Sequence, residues 1–126
     1  MSQLERSPSP SPDDVTKQLE RILSSDDFQA SARNRSFLRY VTEETLAGHE
    51  ASIKAYSIAC NVFGRPTTFD PSGDPIVRIE AGKLRKALER YYLTAGTSDP
   101  LRIEIPKGTY VPAFGPATRS DNGSNE

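Results

Sequence analysis

The sequence predicts an α+β domain, three to four helices followed by a C-terminal β-hairpin. Two observations carry this. Apolar residues recur at helical spacing in segments between residues 13 and 93, and after Asp99-Pro100 the period drops from 3.6 to 2. A third observation sets the limits: of the 44 hydrophobic residues, only Met1, Leu4 and Ala117 fall outside residues 13–114. We therefore expect a disordered Ser/Pro leader over 1–12 (MSQLERSPSPSP), one folded domain over 13–114 and a disordered tail over 115–126.

The first helix starts at Ser11-Pro12-Asp13-Asp14, where a hydroxyl caps, proline takes the first helical position and carboxylates face the positive end of the dipole. Val15, Leu19, Ile22 and Leu23 share one face, carrying the helix to about Ser25. The second spans roughly 31–47, with Phe37, Leu38, Val41 and Leu46 inward and Gly48 as its stop. A third, shorter helix is expected from Ile53 to Phe63, capped by Ser52 and ended at Gly64-Arg65-Pro66. After the loop RPTTFDPSGDP the fourth begins at Asp74-Pro75 and runs to about Leu93, before Gly96. Val77, Ala81, Leu84, Leu88 and Tyr91 form its core stripe, and Arg78, Gly82, Arg85, Lys86 and Glu89 lie off it. Leu101, Ile103 and Ile105 then alternate with Arg102 and Glu104. The chain turns at Pro106-Lys107-Gly108-Thr109 and returns through Tyr110–Phe114, a hairpin with Lys107 near its tip.

Composition narrows the function classes. Cys60 is the single cysteine, so there is no internal disulfide and no thiolate cluster for zinc or iron–sulfur. Nucleophilic or multi-histidine metal chemistry would all run through His49, which reads as an exposed loop residue, and no phosphate-cradling glycine loop is present. An enzyme is poorly supported, and no metal or cofactor is expected. With no membrane-length apolar run and no secretory signal, the expected location is cytoplasmic, on the nucleoid.

Net charge of -1 argues at first against a polyanion partner, but the charge is segregated. Residues 28–114 hold 12 Lys/Arg against 9 Asp/Glu, whereas residues 1–27 hold three against six. The near-neutral total conceals a basic domain behind an acidic leader, which is expected to compete weakly with nonspecific DNA. Three helices followed by a hairpin is the parts list of a winged helix, whose last helix enters the major groove and whose wing touches the flanking backbone or minor groove.

The runs NRSFLRYVTEETLAG (34–48), YSIACNVFGRPTTFDP (56–71), DPIVRIEAGKLRKAL (74–88) and PKGTYVPAF (106–114) resemble a bacterial winged-helix-like domain often fused to adenylate cyclase, tetratricopeptide-repeat or other signalling modules. The chain is also distantly similar to the winged-helix DNA-binding domains of response regulators, which end in a Gly-Tyr-containing wing and tolerate a long loop before the recognition helix. The resemblance implies sequence-specific binding of double-stranded DNA by a transcriptional regulator. As no effector domain follows residue 114 here, the expectation is a stand-alone repressor that occupies a promoter.

Arg78 is the expected base reader, because recognition helices present their N-terminal residues to base edges, with Lys83, Arg85 and Lys86 on phosphates. The competing reading is a solvated face paired to Glu80 and Glu89. Ile79 projects away from the core stripe, toward a thymine methyl, a dimer partner or the preceding loop. Gly82 would let a groove approach closely, or is merely tolerated at a cost of ~1 kcal/mol. Lys107 is expected at the minor groove or on a phosphate, the competing reading being that Lys-Gly is ordinary turn chemistry. Arg33, Arg35 and Arg39, unfavourable at a helix start, are expected to meet an external anion, with Arg33 and Arg35 on the flanking DNA backbone, or an internal carboxylate. Tyr91 and Tyr92 should pack on the hairpin, and Cys60 should be small and buried. One module buries only about 600–1,000 Å² on DNA, so a homodimer on paired half-sites is expected, with an antagonist protein as a further partner. The alternative is a protein-interaction module using the same basic face on an acidic partner.

Overall fold

In the computed structural model, which describes residues 10–116, α1 (Pro12–Leu23) begins where its capping chemistry places it. Ser11 Oγ accepts from the Asp14 amide at 3.1 Å, and Pro12 occupies the first turn. Pro12 thus belongs to the helix and not to the leader; residues 1–9 of that expected leader lie outside the described residues. Val15, Leu19 and Ile22 are buried, and so is Gln18.

α2 (Ala32–Leu46) is capped by Ser31 Oγ, which accepts from the Asn34 amide at 3.1 Å. It stops just before Gly48, whose φ of +83° is the left-handed conformation that glycine adopts without steric cost. Phe37, Leu38 and Val41 are wholly buried, each contributing about 1.5–3 kcal/mol relative to exposure.

The third helix is shorter than its apolar spacing suggests. α3 covers only Ala55–Asn61, and Glu50–Ser52 form a separate 3-10 turn. Ser52 does not cap it: the Lys54 amide donates to Ser57 Oγ at 3.0 Å, and that hydroxyl donates back to the Ser52 carbonyl. Ile53 is buried ahead of the helix rather than inside it.

Arg65 Nε donates to Asp74 Oδ2 at 2.9 Å, pinning the two ends of the Gly64–Gly73 loop. That bond holds the Asp74 carboxyl below the usual carboxylate range. The other oxygen, Oδ1, accepts from the Ile76 amide at 3.1 Å and opens α4 (Ile76–Leu93). Val77, Ala81, Leu84, Leu88 and Tyr91 are all buried, joined by Ala87, Tyr92 and Glu80.

β1 (Leu101–Glu104) pairs antiparallel with β2 (Ala113–Pro116), Leu101 opposite Pro116 and Ile103 opposite Phe114. The return strand lies later than the alternation at Tyr110–Phe114 suggests. The Val111 amide donates to Thr109 Oγ1 at 3.1 Å, so residues 109–112 bend instead of pairing. Gly115 and Pro116 are strand residues, not the start of a tail, and residues 117–126 of that tail lie outside the described residues.

α1 packs on β1 and α2, while α4 packs on α2, α3 and β1. Tyr92 joins the layers: its hydroxyl donates to the Leu101 carbonyl at 3.0 Å and accepts from the Ile103 amide at 2.8 Å and Gln18 Nε2 at 3.2 Å. Tyr91 packs edge-on against Phe28 and Tyr92, its hydroxyl donating to Asp99. The result is four α-helices with a C-terminal two-stranded hairpin, a layout compatible with a winged helix. Among the described residues no helix is long and apolar enough to cross a membrane.

Candidate nucleic-acid interface

The outward face of α4 follows from its inward one. With Val77, Ala81, Leu84 and Leu88 committed to the core, the 3.6-residue period leaves Arg78, Ile79, Lys83, Lys86 and Arg90 in solvent. Position along the sequence does not say which of these cations already has a partner.

The expected site residues divide into three groups. Arg78 and Lys86 on α4 and Lys107 at the hairpin tip are exposed, with no ion pair or hydrogen bond among the described residues. Lys83 and Arg33 instead share one carboxylate: Glu80 Oε2 lies 3.4 Å from Lys83 Nζ and 4.0 Å from Arg33 Nη1. Glu80 is only 8% exposed, so both cations compensate a nearly buried negative charge. Arg33 also stands over the Phe63 ring, 5.6 Å from its centroid.

Arg35 and Arg85 form the third group, for their guanidiniums are engaged by backbone carbonyls. Arg35 donates to Leu23 O at 2.6 Å, Phe28 O at 2.7 Å and Ala30 O at 3.1 Å, and stacks over Phe28. Its partners among the described residues are carbonyls and not an internal carboxylate, and it closes the end of α1 and the loop into α2. Arg85 Nε donates to Ile105 O at 2.9 Å, and its Nη2 to Thr109 O at 2.9 Å and Pro106 O at 3.3 Å. Arg39 does meet carboxylates, Glu20 at 2.9 Å and Glu43 at 3.4 Å, which hold its charge more firmly than usual.

Ile79 is 51% exposed, so it is not buried against the preceding loop. A Cβ built on Gly82 would meet no atom within 4 Å, so nothing inside the molecule requires glycine there. Cys60 is half-buried rather than fully so, and His49 is exposed with Nδ1 at 3.2 Å from Glu44. Among the described residues no three His, Cys, Asp or Glu side chains gather as a metal site.

Between the start of α3, the Arg78 side of α4 and the hairpin turn lies a notch of about 620 Å³. Lys54, Arg78 and Arg85 line it with Gly108, Thr109 and Tyr110, and no carboxylate does. Lys54, exposed and unpaired, was not singled out by sequence reasoning: it stands alone among neutral residues, and only the fold brings it opposite Arg78. With Arg90, the partnerless cations among the described residues are thus Lys54, Arg78, Lys86, Arg90 and Lys107. They lie on α4, beside the notch and at the hairpin tip, a distribution suited to the phosphates of a nucleic acid. No protein-family model matches this chain, and no curated protein or solved structure does either.

Proposed function

We propose that this chain binds double-stranded DNA as a winged-helix transcriptional regulator, with α4 in the major groove and the hairpin as wing. The observation that carries the reading is the placement of the partnerless cations, while Lys83, Arg33 and Arg39 are neutralised by carboxylates. Arg78, in the first turn of α4, reads a base edge. Lys54, Lys86 and Lys107 take phosphates, and Gly82 lets the groove approach α4 closely. Two copies on paired half-sites supply the specificity that one small module lacks, and occupancy of a promoter represses.

Footprinting on the gene's own upstream region tests this. Protection of a short, two-fold-related site by the wild-type chain, lost in Arg78→Ala, is the expected result. Uniform weak protection of all sequences would refute base reading by Arg78.

One observation favours a second reading. Ile79 and Leu93 are 51% and 71% exposed on the same outward face of α4, a feature that suits a protein partner. Under that reading Ile79→Ser abolishes complex formation and duplex binding is absent.

A further inference from the structure

We propose that Arg85 is a positioning residue for DNA binding: it touches no DNA, and fixes the wing tip so that Lys107 stands in register with Arg78. This rests on the winged-helix reading above. The strand ladder ends at Glu104 opposite Ala113, so residues 105–112 have no ladder bonds to hold them. Within the tip, the Thr109 amide reaches Pro106 O at only 3.4 Å, a weak bond, and Gly108 takes a φ of +90°. Arg85 grips this segment from both sides of Lys107-Gly108, through Ile105 O and Pro106 O before it and Thr109 O after it. A planar guanidinium offers donors in a fixed fork, which is what three carbonyls at fixed positions require. Arg85 follows Arg78 by seven residues, two turns along α4, and both line the notch. The contact therefore couples the helix that carries Arg78 to the loop that carries Lys107.

Lysine keeps the charge of Arg85 but not the fork, so Arg85→Lys separates positioning from phosphate contact. In the free protein, Arg85→Lys should speed exchange of the two hydrogen-bonded tip amides, Thr109 and Val111, about tenfold or more, leaving exchange in α1 and α2 unchanged. In duplex titrations it should weaken binding about two- to fivefold and flatten the salt slope by about 0.9, matching Lys107→Ala. Combined with Lys107→Ala it should add almost nothing, because both changes remove one contact. Arg85→Gln, with a thermal melt for each variant, guards against simple loss of folding.

Wild-type exchange and affinity in Arg85→Lys would overturn the proposal. So would an undiminished effect of Arg85→Lys in the Lys107→Ala background, which would mean direct contact with DNA. If the wild-type chain binds no duplex at all, the positioning role falls with the DNA reading. Faster tip exchange in Arg85→Lys would then show that the clamp exists without that function.

Discussion

Removing one oxygen, in Tyr92→Phe, should weaken the join between the helices and the hairpin. The Tyr92 hydroxyl sits where α1, α4 and β1 meet, and it serves the Leu101 carbonyl, the Ile103 amide and Gln18 Nε2 at 3.0, 2.8 and 3.2 Å. Ile103 is wholly buried and Leu101 nearly so, so neither backbone group regains water when the hydroxyl goes. Gln18 keeps a second partner, Asp99 Oδ2 at 2.8 Å, and loses less. Two buried backbone groups left unpaired, at about 1–3 kcal/mol each with partial relaxation, give a loss of about 2–4 kcal/mol. Domains of this size are stable by only about 5–15 kcal/mol, so the loss is large but leaves a folded protein. The chain has no tryptophan, so unfolding in urea is followed by circular dichroism. The midpoint should fall at unchanged m, and the Ile103 amide should lose protection before the α2 amides do. A loss below about 1 kcal/mol with Ile103 still protected would refute the view that this hydroxyl ties the hairpin to the helices.

Three further predictions come from the same core. A Cβ at Gly96 would stand 2.8 and 2.9 Å from Cδ2 and Cζ of Tyr91 and closer still to Cε2, and that ring is held by Phe28, Tyr92 and Asp99. Gly96→Ala should cost about 1–3 kcal/mol by overpacking, read as a lower thermal midpoint, and should be relieved in Tyr91→Leu/Gly96→Ala. Burial pushes the Tyr92 hydroxyl up to about 12 from its ordinary 10.0, and burial with Asp99 raises Tyr91 as well. Since the neutral forms are favoured in the folded chain, the contribution of these two tyrosines to stability should be flat below about pH 10. It should then fall as pH rises toward 12, by up to about 1.4 kcal/mol per pH unit for each tyrosine. Tyr92→Phe should make that fall shallower. Arg35→Lys replaces a fork on three carbonyls with a single ammonium and should cost about 2–3 kcal/mol in denaturant unfolding with no change in DNA affinity beyond that of stability.

The parts of the fold that sequence reveals are those decided within one or two turns of chain. Ser11-Pro12 opens α1 because the cap, the proline and the first-turn carboxylates all lie within four residues. The core stripe of α4 is legible for the same reason, since period alone decides which side faces inward. α3 and β2 are displaced because their ends depend on choices that spacing does not encode. Ser57 rather than Ser52 caps the Lys54 amide, and the register of Ile103 with Phe114 sets β2 after the bend at Thr109.

The candidate site shows the same division. Period places Arg78, Arg85 and Lys86 off the core stripe, but not that Arg85 is held by carbonyls 20 to 24 residues away. Likewise Arg35 looks like a free cation at a helix start until the fold brings Leu23 O and Phe28 O to it. Glu80 looks like a surface partner, yet it is nearly buried and holds both Arg33 and Lys83. Which cations stay free is a tertiary property, and it is the one on which the proposed function depends.

Duplex affinity measured from about 50 to 200 mM salt tests that function most directly. Of the five partnerless cations among the described residues, the four not assigned to a base edge, Lys54, Lys86, Arg90 and Lys107, predict a linear fall of log K with log salt, with a slope of about -4 per protomer. Lys107→Ala should reduce the slope by about 0.9, Arg78→Ala should weaken binding to the specific site by about 1–3 kcal/mol and relax its sequence preference, and Arg35→Ala should leave the slope unchanged in the folded protein. Absence of binding to any duplex at the lowest salt, or a wild-type slope in Lys107→Ala together with wild-type sequence preference in Arg78→Ala, would contradict the account.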